Sequence, residues 1–80
     1  MKLWLQTKMQ HLDLHGLRHH EVQPMVEDFI LEYQLPVKII TGNSVPMQEI
    51  VKQIVDRYDL SWDYESYWNL GAIVVSEKRI

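Results

Sequence analysis

Val37-Lys38-Ile39-Ile40-Thr41-Gly42-Asn43-Ser44, residues 37–44, decides how this chain folds. From Val37 to Thr41 every residue but Lys38 is β-branched, the pattern of a strand covered on both faces. Gly42-Asn43 breaks the strand, Ser44 is suited to cap a helix, and Pro46 suits its first turn. Met47, Ile50, Val51, Ile54, Val55 and Tyr58 then recur at the spacing of one helical face. A strand therefore runs through a tight loop directly into a helix.

The same alternation extends in both directions. Upstream, Val22, Met25, Val26, Phe29, Ile30 and Tyr33 mark an amphipathic helix between His19 and Tyr33, and Leu35-Pro36 closes it. Pro24 lies inside that stripe, so either the helix starts just before it or its first turns bend. His11-Leu12-Asp13-Leu14-His15 alternates apolar and polar residues, as a strand with one buried face does, and Gly16 ends it. Downstream, Ser61 to Tyr67 reads as extended and aromatic, Asn69-Leu70-Gly71 as a turn, and Ala72 to Ser76 as a last strand. The order is βαβαββ. A strand–helix–strand unit gives a right-handed crossover between parallel strands, and the short final link gives an antiparallel pair. The expected fold is a two-layer α/β sandwich, a mixed four-stranded sheet with two helices on one face.

Eighty residues make one domain, here residues 11–80 behind an arm of residues 1–10. The absence of cysteine excludes disulfides and thiolate metal sites. No apolar run approaches the roughly 18–20 residues of a membrane span. Met1 to Gln10 lacks the apolar stretch and cleavage site of a signal peptide, so a cytoplasmic protein is expected. A net charge of −3 argues against tight, non-specific binding to duplex backbones. It leaves open a local phosphate site built from backbone N–H groups.

Leu12-Asp13-Leu14-His15-Gly16 carries the most chemistry. Asp13 and His15, two apart on a strand, share a face at a separation of roughly 6.5–7 Å. On one reading the carboxylate orients the imidazole, which moves a proton in phosphodiester cleavage. On the other, Asp13 accepts backbone N–H bonds and steadies the loop, and His15 donates to a carbonyl. The loop Thr41 to Ser44 lies at the carboxyl end of its strand, the edge that ligands favour in open α/β sheets. It opens a helix, so N–H groups and the positive helix end face that edge. If the first two strands are parallel neighbours, His15 and this loop border one crevice.

These segments resemble the Smr (small MutS-related) domain family. Leu12 to Gly16 matches its LDLHG signature and Leu17 continues it, while Thr41-Gly42-Asn43-Ser44 corresponds to its second motif, H/T-G-x-G. Asn69-Leu70-Gly71-Ala72-Ile73-Val74-Val75 resembles its closing Gly-x-x-x-V-V strand. The likeness covers roughly residues 10–77 and departs at Ser44, where the family usually has a second glycine. It implies a fold like the C-terminal domain of translation initiation factor three, and an endonuclease that nicks DNA or cleaves RNA. It also implies that Asp13 and His15 are catalytic and that Gly16, Arg18, Thr41, Gly42, Asn43 and Ser44 hold the nucleic acid; attack by an RNA 2′-hydroxyl needs no metal, and no metal or cofactor is expected. The brevity of the chain beside longer bacterial and fused eukaryotic members fits a compact viral genome.

Other readings stand beside this one. Net acidity and the lost glycine favour a binding module without turnover. The arm, with Leu3, Trp4 and Leu5, suits a protein-interaction adaptor. Arg18, His19 and His20 either meet a nucleic-acid backbone or are simply solvated, and the four histidines from His11 to His20 match no compact metal motif. Trp62, Tyr64, Tyr67 and Trp68 either stack on unpaired bases or pack one face onto the helices.

Overall fold

The computed structural model describes residues 9–78. The partner-binding arm expected at Leu3, Trp4 and Leu5 lies outside the described residues. The elements run β1 (Gln10–Asp13), α1 (His19–Glu32), β2 (Val37–Ile40), α2 (Val45–Arg57), β3 (Leu60–Ser66) and β4 (Asn69–Glu77). The four strands form one sheet in the order β1-β2-β4-β3. β1 and β2 are parallel, and β4 runs antiparallel to both β2 and β3. The fold is the expected α/β two-layer sandwich.

The register explains which residues make the core. Val37 lies opposite Val75 and Ile39 opposite Ile73, so these four project from the same face of the sheet. All four are buried. Val22, Val26, Phe29 and Ile30 of α1 and Met47, Val51, Ile54 and Val55 of α2 complete one cluster with them. Leu14, just beyond β1, is wholly buried in it. The expectation that β2 is covered on both faces is corrected here. Lys38 and Ile40, which point away from the helices, are only half-buried, and Lys38 Nζ pairs with Glu65 on that side at 3.0 Å. A strand flanked by neighbours on both edges needs β-branched residues for pairing as well as for covering, so the two causes look alike in the sequence.

Two local expectations are also settled. α1 begins at His19, well before Pro24. Proline has no N–H, so the carbonyl of His20 loses its partner one turn on. The start is secured instead by Glu21, whose carboxylate accepts the Arg18 N–H at 2.9 Å while its own N–H donates to the Arg18 carbonyl at 2.8 Å. The hairpin turn, by contrast, falls at Tyr67-Trp68 and not at Asn69-Leu70-Gly71, which belongs to β4. The turn-like residues serve other ends. Asn69 donates to Glu65 across the hairpin at 2.9 Å and accepts the Gly71 N–H at 3.2 Å. Among the described residues no helix is long and apolar enough to cross a membrane.

Candidate nucleic-acid interface

Parallel pairing carries β1 and β2 to a common edge. The ladder aligns Asp13 with Ile40, and Leu14 N–H extends it to the Ile40 carbonyl at 3.0 Å. His15 and the Thr41–Ser44 loop therefore leave the sheet side by side, as expected.

The first loop is a compact turn. Asp13 Oδ1 accepts the backbone N–H of His15 at 2.9 Å. The Leu17 N–H then closes onto the Leu14 carbonyl at 3.1 Å, with Gly16 at φ +83°. Leu14 anchors this turn in the core, and His15 rides exposed at its tip. Asp13 is bonded to the backbone of His15, and the two side chains form no ion pair among the described residues. The arrangement has the loop-steadying half of the second reading, whereas the imidazole has no hydrogen-bond partner among the described residues. Arg18 follows, exposed, with its guanidinium in no ion pair among the described residues.

The second loop is held from three sides. The N–H groups of Thr41 and Gly42 both donate to the Gly71 carbonyl, at 2.8 and 3.0 Å. Thr41 is buried, and its hydroxyl lies 3.0 Å from the Gly42 carbonyl and 3.2 Å from that of Gly71. Gln48, one turn into α2 and also buried, donates its side-chain N–H to the Gly42 carbonyl at 3.1 Å. Gly42 sits at φ +68°, where a side chain is strained. A Cβ on Gly71 would lie 3.2 Å from the Gly42 backbone, so the two glycines are in close contact. Thr41 and Gly42 thus shape the loop, and their amides are not free for a ligand.

The free donors come next in the chain. Ser44 caps α2, with Oγ accepting the Met47 N–H at 3.2 Å and its carbonyl accepting from Gln48 at 3.0 Å. Its φ of −79° is ordinary, so serine sits here without backbone strain. The N–H groups of Asn43, Ser44 and Val45 have no partner among the described residues, and Pro46 has none to offer. That is a row of amides at a helix start, the donor set an anion takes.

Near this edge, His19 and His20 line a groove between the helices with Gln23, Ile50, Gln53, Ile54 and Arg57. Arg57 pairs with Glu27 at 3.6 Å. Among the described residues no three His, Asp or Glu side chains are placed to share a metal ion. The aromatic run divides. Trp62 and Tyr64 pack edge to face at 5.5 Å and lie under Lys52 of α2, which stands 4.6 Å above the Trp62 ring. Lys52 donates to the Tyr64 hydroxyl at 2.9 Å, and that bond raises the ammonium pKa above its ordinary 10.5. Tyr67 and Trp68 are exposed.

Gln48 and Gly71 escaped sequence reasoning. Gln48 interrupts the apolar stripe of α2 between Met47 and Val51, which was a usable signal. Gly71 was read for its turn chemistry, and nothing in its neighbours announces a contact with a loop far upstream.

Comparison with known proteins adds no relative: no family model, no curated protein and no solved structure matches the chain.

Proposed function

We propose that the edge formed by His15, Arg18 and the Asn43–Val45 amides binds the phosphodiester backbone of nucleic acid, in the manner of an Smr-type domain. The observation that carries this reading is the run of partnerless N–H groups from Asn43 to Val45 at the sheet edge from which the exposed His15 also projects. Such donors bind an anion without net positive charge, which suits a chain of net charge −3. Cleavage is the second reading, favoured by the free imidazole of His15. With RNA, the 2′-hydroxyl attacks the adjacent phosphorus, the bond to the 5′-oxygen breaks, and a cyclic phosphate and a free 5′-hydroxyl result. His15 takes the proton from the attacking hydroxyl or returns one to the leaving oxygen.

The amide row is tested by Val45→Pro. Proline suits the first helical position and removes one N–H. Binding to an abasic strand, measured by fluorescence anisotropy, is expected to weaken about tenfold or more, the worth of a hydrogen bond to a charged group. Equal affinity of the variant and the parent sinks the phosphate site. Cleavage is tested on labelled RNA and supercoiled plasmid with pure protein, and His15→Ala must abolish it.

A further inference from the structure

Tyr67 and Trp68 are the most exposed aromatic rings among the described residues. Tyr67 is 87% exposed and Trp68 75%, while Trp62 and Tyr64 are packed beneath Lys52 and Phe29 contacts Tyr33 within α1. The pair occupies both positions of a two-residue hairpin tip, where turn chemistry favours Gly, Asn or Asp. Neither ring contributes to the core. They stand edge to face, with centroids 4.6 Å apart. Leu70 beside them is half-exposed.

The tip is also firmly placed. Ser66 pairs with Asn69 across it, and Asn69 bonds Glu65 on the opposite strand. Gly71, three residues on from Trp68, holds the Thr41 and Gly42 amides and touches the Gly42 backbone. At about 3.3 Å per residue, Trp68 lies within roughly 10 Å of that contact. The hairpin tip therefore leaves the sheet at the same edge as the Thr41–Ser44 loop.

We propose that Trp68 and Tyr67 form a stacking platform for an unpaired base, so that the ligand of this edge is single-stranded nucleic acid. The proposal rests on the phosphate-binding reading above. A phosphate on the Asn43–Val45 amides leaves its neighbouring nucleotide beside the rings. Duplex bases are stacked on each other and offer no face to them, whereas every unpaired base does, whatever its identity. The charge balance points the same way. Backbone attraction supplies most of a duplex binder's affinity, and a chain of net charge −3 has little of it. Stacking supplies affinity without charge.

The experiment compares three probes with one protein: a single-stranded oligonucleotide, an abasic strand of the same length, and a duplex. The wild type is expected to bind the base-bearing strand best. Replacing both rings, Tyr67→Ser with Trp68→Ser, removes only exposed surface, and circular dichroism checks that the fold persists. That variant is expected to lose about 5- to 100-fold for the base-bearing strand and nothing for the abasic one, the loss that one stacked base represents. Undiminished affinity of the double variant overturns the platform, and so does a wild type that prefers duplex or binds the abasic strand equally well. In the last case the phosphate site survives. A wild type that binds none of the three probes overturns both ideas, and a pull-down dependent on the rings then assigns them to a protein partner.

Discussion

The loops that follow β1 and β2 begin alike and end differently. Each leaves the sheet at the same edge, each turns at a glycine of positive φ, and each feeds a helix. In the first loop the N–H groups of His15, Leu17 and Arg18 go to Asp13, Leu14 and Glu21, and that of Gly16 has no partner among the described residues. What this loop adds is side chains, the exposed imidazole of His15 and the guanidinium of Arg18. In the second, Thr41 and Gln48 are buried and Ser44 is occupied by its cap, while Asn43 and Val45 are exposed and the N–H groups from Asn43 to Val45 have no partner among the described residues. The contrast teaches that two glycine loops of similar appearance present different groups at one edge, exposed polar side chains in the first and the amides of a helix start in the second.

The contrast can be broken most severely at its anchors. Leu14→Ala empties a wholly buried position under the first loop and is expected to lose about 2–5 kcal/mol in denaturant unfolding. Gly71→Ala sets a Cβ against the Gly42 backbone, which has no flexible end to yield. About 1–3 kcal/mol is expected there, with weakened binding to an abasic strand because the amide row shifts. Leu14→Ala should leave that row in place once the protein is folded. A smaller effect sharpens the account of Asp13. Asp13→Asn keeps an oxygen for the His15 N–H, so stability should change by under about 0.5 kcal/mol. If the carboxylate also serves His15, the pH profile of any cleavage moves. If Asp13 only holds the turn, the profile stays put.

Much of this was legible in the chain because periodicity was unambiguous. The apolar stripes of α1 and α2 and the alternation around Asp13 each match one element, and the short link after Tyr67 allowed only a hairpin. That His15 and the Thr41–Ser44 loop leave the sheet at one edge followed from topology alone, since parallel neighbours share an edge. Other parts were hidden for definite reasons. Asn69 and Gly71 carry turn chemistry but spend it on a cross-strand bond and a tight contact, so the turn slid onto two aromatics. Lys38 shows the open face of β2, but one lysine among β-branched residues reads as an interruption. The direction of the Thr41 and Gly42 amides depends on a carbonyl thirty positions away, as the Thr41–Gly71 bond shows, and no local pattern reports it.

One further consequence attaches to where α1 and α2 begin. Both set off from the rim where β1 and β2 end, so the positive poles of their peptide dipoles add there. Glu27, Asp28 and Glu32 crowd the second half of α1, whose last turn has no basic residue, and this adds negative charge at the far pole against that helix's own stability. Two helix axes thereby point their positive ends at one rim of an acidic chain. A polyanion that repels it on average still meets least resistance rim first, within the roughly 8 Å over which physiological salt lets such a field be felt.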